Sequence, residues 1–284
     1  MKYLSARTLL IHFFTGILKL GKESNFKKTD WDDLWKSDPV VPHAYEEWLE
    51  RERCSARWRR MREMILKHYG SFSGIKVVEI GSGRGTVSLL MAREGALVTL
   101  LDVSEEALKQ AKSMFEKAHL QAEYIQEDLL DLSREHMGKY DVSMSFGLAE
   151  HFRYPERQKV IDMHALVLKK GGLTFISVPN KWCPSFQLFK IITKVLGKWR
   201  MGLEVSFTRS ELKKNIYNAG LCYITIIGSS WIADMNYFLL SNMVKLFRGM
   251  CGITGDGRRS VSRFERSSCL DAYLGYALVV VGQR

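Results

Sequence analysis

The chain has 284 residues, enough to bury a large core, and its 46% hydrophobic and 26% charged content is that of a soluble globular protein. Its formal charge of +11 suggests a nucleic-acid binder, but the excess is uneven: Lys and Arg number 14 against 10 acids over residues 1–70, 13 against 15 over 71–180, and 15 against 6 over 181–284. The middle is slightly acidic and the basic surface belongs to the flanks; five cysteines without a C-x-x-C pair argue against a disulfide framework or a zinc site and for a reduced, cytoplasmic compartment.

In chain order, Leu10, Phe13, Phe14, Ile17 and Leu18 recur on one helical face, in a run broken by Arg7, His12 and Lys19 and short of the ~20 apolar residues that a span requires. This predicts a helix lying on its own domain, on a membrane surface or on a second subunit. Trp31, Trp35, Tyr45 and Trp48 follow, as core residues or as aromatics closing over a ligand. From residue 75 onward, apolar runs alternate with helical stretches. Strands are expected at 76–81, 97–102, 122–128, 140–146 and, after a Gly171–Gly172 turn, 172–180. Helices are expected at 84–94, 104–118 and 155–168. A helix over 207–220, opened by a Thr208/Glu211 capping box and stopped by Gly220, precedes strands at 222–228 and 273–282. This alternation predicts an α/β fold: a Rossmann-like, doubly wound, mostly parallel seven-stranded sheet. Residues 1–70 form a helical cap before a domain over 71–284, and inserts at about 181–206 and 230–270 cover the ligand edge.

Ligands bind an open parallel sheet beyond its strand carboxyl ends, and the conspicuous residues of the middle segment fall there. Gly81, Ser82, Gly83 and Gly85 follow the first strand and let a ligand approach the main chain. Asp102 ends the second strand, suited to a ribose diol. Asp128 ends the third, where a carboxylate could hold an exocyclic amine. Phe146 and Gly147 end the fourth. A dinucleotide and S-adenosylmethionine both suit a glycine turn. Here the third glycine comes one residue too early for G-x-G-x-x-G, and Glu79 just ahead of the turn favours a cationic ligand over a pyrophosphate.

The stretches VVEIGSGRG, VTLLDVSEEAL, YIQEDLLDL, YDVSMSFGLAEHF and LKKGGLTFISVPN resemble, in order and spacing, the motifs of class I S-adenosylmethionine-dependent methyltransferases, in the branch of ubiquinone-type and other small-molecule enzymes. The resemblance implies that Glu79, Gly81, Ser82, Gly83 and Gly85 surround the methionine part of the donor. It implies Asp102 at the ribose hydroxyls, Val103 on the adenine face, Asp128 and Leu129 at the adenine edge, and Phe146 and Gly147 beside the sulfonium. Glu150 and His151, just past the fourth strand, are candidates for the base that takes the acceptor's proton, or for pocket-shaping residues. No metal is implied.

Beyond the fifth strand, Asn180 and Trp182 are expected on the acceptor side. Residues 184–199 form an amphipathic helix with Leu188, Ile192, Val195 and Trp199 on one face and Lys190, Lys194 and Lys198 as a basic stripe. With the apolar run 235–247 and Arg248, Arg258, Arg259, Arg263 and Arg266, this suits an anionic inner membrane surface, or a simple roof over the sheet. The glycine-rich stretch 249–262 is a candidate gate. The expected function is methyl transfer to a small, lipophilic acceptor such as a quinone precursor, lipid or polyketide-like compound. The alternatives are an RNA or tRNA methyltransferase, for which no RNA-binding module is recognisable, and a non-catalytic donor-binding protein.

Overall fold

The computed structural model describes residues 27–39, 42–238 and 265–284. The helix expected around Leu10–Leu18, most of the apolar run 235–247 and the candidate gate at 249–262 lie outside the described residues.

Seven strands form one sheet: β1 (Lys76–Ile80), β2 (Leu97–Asp102), β3 (Glu123–Gln126), β4 (Tyr140–Phe146), β5 (Leu168–Pro179), β6 (Cys222–Gly228) and β7 (Ala277–Gln283). Their order is β3-β2-β1-β4-β5-β7-β6. The first five strands pair in parallel, and β7 runs antiparallel between β5 and β6. Parallel strands need crossovers, which α4 (Thr86–Arg93), α5 (Glu105–Lys117) and α6 (Glu156–Val167) supply. Ahead of the sheet come α1 (Lys28–Ser37), α2 (Pro42–Cys54) and α3 (Ala56–Tyr69). After β5 come α7 (Pro184–Val195), α8 (Arg209–Asn218) and two short turns of helix, α9 (Trp231–Met235) and α10 (Asp271–Leu274).

Both faces of the sheet are covered, so successive residues of one strand serve two cores. Val77, Met144, Phe175, Val279 and Val281 pack with Trp58, Met61 and Ile65 of α3 and with Leu89 and Phe115. Val78, Ile176, Leu278 and Val280 pack on the other side with Val160 and Ile161 of α6 and Leu212 and Ile216 of α8.

Three local expectations change. The Gly171–Gly172 pair is a bulge inside β5 rather than a turn ahead of it: Tyr140 pairs with Leu168 and Val142 with Leu173, and Gly171 takes a φ of +83°. Thr208 caps α8 by accepting from Glu211 N at 3.2 Å, but the Glu211 carboxylate goes to Arg157 at 2.8 Å, so only half of the capping box forms. The lysine stripe expected at 190, 194 and 198 is broken: α7 ends at Val195, short of the exposed Lys198, and Lys190 turns inward. Lys190 is 7% exposed and donates to the Glu204 carbonyl at 2.5 Å. The carbonyl and carboxylate of Glu204 draw the ammonium inward, and Leu188, Ile191 and Trp182 are exposed instead.

Candidate functional site

The chain leaves β1 toward β2 on one side and reaches β4 on the other, so a crevice opens beyond the carboxyl ends of β1 and β4. A cavity of about 660 Å³ fills it.

Its floor is the turn after β1. Gly81 N and Ser82 N donate to Leu101 O at 2.8 and 3.1 Å, fastening the turn to β2. Gly83 has a φ of +51°, and a Cβ there would come within 3.0 Å of Trp35. The turn is therefore glycine both for its left-handed backbone and for lack of room. Glu79 is 3% exposed and accepts from Ser88 N at 3.3 Å and from Ser88 Oγ. Burial outweighs those bonds and pushes its carboxyl up to about 7. Ser82 Oγ is buried without a hydrogen-bond partner among the described residues.

Asp102 locks the same turn: one oxygen accepts from Gly83 N at 2.8 Å, the other from Ser104 N at 2.9 Å. Each carboxylate oxygen has a second lone pair, so both remain able to accept from a ligand. Burial raises this carboxyl as well. Val103 and Leu129 line the cavity beside it. Asp128 lines its mouth, exposed, and accepts from Leu130 N at 2.9 Å as the cap of a short 3-10 turn.

At the opposite end stand Phe146, Gly147, Glu150 and His151. His151 Nδ1 lies 2.7 Å from the Leu203 carbonyl, which can only accept, so Nδ1 carries the proton and Nε2 keeps its lone pair. Burial lowers the His151 pKa to about 4, so the ring is neutral near pH 7. The ring also meets Trp31 edge-on, with centroids 4.9 Å apart. Glu150 is 2% exposed, and its Oε2 has no hydrogen-bond partner among the described residues. Burial, and then the charge of Glu204, push its carboxyl up to about 8.

Helix α1 forms the outer wall. Trp31, Leu34 and Trp35 line the cavity, Ser104 Oγ donates to Asp32 at 2.6 Å, and Gln110 donates to the Trp35 carbonyl at 2.8 Å. The Arg84 guanidinium lies 5.1 Å from the Trp35 ring and 4.8 Å from the Trp48 ring. Of the four early aromatics, Trp31, Trp35 and Trp48 thus border the cavity, while Tyr45 is core.

All the residues expected at the donor and at the proton-transfer position, Glu79 through His151, line this one cavity. Asn180 and Trp182 do not. Asn180 is fully buried, donating to Tyr273 O at 2.8 Å and Gly275 O at 3.0 Å, and so ties β5 to the approach of β7. Trp182 is 64% exposed. Arg57, Glu204 and Tyr276 also line the cavity, although no sequence motif marks them. They lie outside the strand-end motifs, far away in sequence, and carry no local signal; only folding brings them together.

The chain matches the family model described as a methyltransferase domain over residues 77–172. A ubiquinone biosynthesis O-methyltransferase of Escherichia coli O7:K1 is 38% identical over 190 residues, covering 62% of this chain and 78% of that protein. A protein of the same description from Escherichia fergusonii is 32% identical, covering 51% of this chain and 66% of the other. Among solved structures, the fold is similar to magnesium protoporphyrin IX methyltransferase of Synechocystis PCC 6803, with a TM-score of 0.54, 17% identity, and coverage of 90% of this chain and 93% of that one. It is also similar to a Burkholderia thailandensis 1,6-didemethyltoxoflavin-N1-methyltransferase, with a TM-score of 0.50, 14% identity, and coverage of 87% and 91%.

Proposed function

Because this chain belongs to the class I S-adenosylmethionine-dependent methyltransferases, an enzyme that passes the methyl of S-adenosylmethionine to a small molecule, we propose that its acceptor is lipophilic and bears an O–H or N–H group. A quinone precursor, a lipid or a polyketide-like compound fits that description. The carrying observation is the make-up of the cavity wall: Trp31, Phe152, Met201, Tyr237 and Tyr276 line it together with the buried Glu150 and Glu204, and Oε2 of Glu150 lacks a hydrogen-bond partner that an acceptor's hydroxyl or amine would provide.

The residues present suit the donor. The open glycine turn admits its methionine end against Gly81, Ser82, Gly83 and Gly85, with Ser82 Oγ still to be satisfied and the Glu79 carboxyl supplying negative charge for a cation. Asp102 has lone pairs left for a ribose diol, Val103 and Leu129 offer apolar contact for adenine, and Asp128 has a carboxylate at its edge. When bound, the donor would supply an electrophilic methyl carbon on a sulfonium sulfur, and Phe146 and Gly147 would hold that part of it. Of the cap expected over residues 1–70, α1 walls the cavity through Trp31, Leu34 and Trp35, and α3 packs into the core of the domain.

His151 Nε2 takes the acceptor's proton as neutral imidazole, and Glu150, with a carboxyl near 8, orients the acceptor. His151→Gln is expected to lower kcat by about 10²–10⁴ with donor affinity little changed. Near-normal turnover would remove the base role. The acceptor itself is sought by incubating the enzyme and isotope-labelled donor with lipid and metabolite extracts, then finding the labelled product by mass spectrometry. Label appearing only in polar, non-aromatic metabolites would overturn the lipophilic reading.

Among the described residues no helix is long and apolar enough to cross a membrane. The exposed Trp182, Leu188 and Ile191, with exposed Lys181 and Lys198, support peripheral contact with an anionic bilayer, to which the buried Lys190 does not contribute.

A further inference from the structure

The loop between β3 and β4 carries a second group of ionisable side chains. Glu127 follows β3 directly, and Glu135 and His136 sit on the 3-10 turn Arg134–His136. His136 is 4% exposed, yet neither ring nitrogen has a hydrogen-bond partner among the described residues. Its Nε2 points between two carboxylates, 3.5 Å from Glu127 Oε1 and 3.6 Å from Glu135 Oε1. A charge-assisted N–H···O bond would be about 2.7–2.9 Å long, so both separations are too long for a proton to bridge well. They suit two ligands of one ion: with bonds of about 2.1 Å, the edge of a coordination tetrahedron is about 3.4 Å. One ligand atom from each of the three residues lies within 4.8 Å of the others.

We propose that Glu127, Glu135 and His136 bind a divalent first-row transition ion, with water completing the shell. Imidazole nitrogen with two carboxylate oxygens suits Zn²⁺, Co²⁺ or Mn²⁺ and, lacking sulfur, does not suit Cu(I). Two carboxylates and a neutral ring match a dication in charge. The Glu127 carboxylate is already oriented, accepting from Ser133 N at 2.9 Å and Ser133 Oγ at 3.1 Å, which fixes the first ligand. An ion here cross-links the two ends of the 127–136 loop. That loop carries Asp128 and Leu129, so the ion stiffens one wall of the cavity.

The test is calorimetric titration of ZnCl₂ into the chelator-treated full-length protein, with Co²⁺ absorption as a second readout. One equivalent is expected to bind, raise Tm, and give Co²⁺ d–d bands without thiolate charge transfer. His136→Gln and, separately, the surface change Glu135→Gln are each expected to weaken binding by roughly tenfold or more while the protein still binds S-adenosylmethionine. No uptake by the wild type overturns the proposal; so does binding unchanged in both variants, or a thiolate band that assigns the ion to the cysteines. A His136 ring that titrates by NMR as a free imidazolium, unaffected by zinc, would mean an ion pair with the two carboxylates and overturn it equally.

Discussion

Glu79 concentrates the electrostatics of the glycine turn in one side chain. Its carboxyl ionises near 4.5 in an unfolded chain and near 7 in the fold, so between those values the native protein holds the extra proton. Stability therefore falls as pH rises from about 4.5 to 7, by ~3 kcal/mol for a shift of this size. Glu150 extends the same trend toward 8. His151 acts in the opposite sense: with a folded value near 4 against 6.5, its contribution is complete above 6.5 and is lost as pH falls toward 4. In Glu79→Gln the stability advantage over wild type is expected to grow from pH 5 to pH 8, measured by thermal melts across that range. A cation bound beside Glu79 draws its carboxyl back to the ionised form. Donor binding near pH 6 is therefore expected to release protons, and less so in Glu79→Gln, as read by calorimetry in buffers of different ionisation enthalpy. Glu79 was legible in the sequence because it sits inside an apolar run beside three glycines; its capture by Ser88, nine residues on, was not.

At the level of elements, Ser104 joins two helices. Its Oγ caps α5, accepting from Ala107 N at 3.2 Å, and donates to Asp32 of α1 at 2.6 Å. Ser104→Ala should cost about 1 kcal/mol through the lost cap, seen in denaturant melts, and should weaken donor binding as α1 loosens. A stability loss with donor affinity untouched would separate α1 from the donor. Gly83→Ala is the sharper steric test: a φ of +51° and a Cβ 3.0 Å from Trp35 should push α1 off the turn and raise the Kd for S-adenosylmethionine. The strands and the start of α5 at Ser104 follow from periodicity and composition, and the order of the strands in the sheet does not. The contact of α1 with the turn does not, because an aromatic-rich amphipathic segment packs equally well against any apolar surface.

For the molecule as a whole, β7 is the least local piece. It arrives from the far end of the chain, enters antiparallel between β5 and β6, and places Val279 and Val281 in one core and Leu278 and Val280 in the other. Phe175, opposite Val281 in the register, is fully buried, and Phe175→Ala should cost about 3–5 kcal/mol in urea unfolding. On the outer surface, Leu188→Ser with Ile191→Ser should reduce co-sedimentation with anionic vesicles and leave Tm nearly unchanged, since both side chains are about half exposed. Lys190→Glu should instead destabilise the fold, because it puts a second carboxylate against Glu204. The sequence alone determined the doubly wound sheet and the gathering of conspicuous residues at its strand carboxyl ends, because strand periodicity and a glycine turn at a strand end are local and leave the backbone few other forms. The meeting of Glu204, Arg57 and Tyr276 with Glu150 and His151 in one cavity was decided only in the tertiary structure, as was the inward turn of Lys190. Burial, unpaired lone pairs and shifted ionisation arise from neighbours that meet only when distant segments pack together.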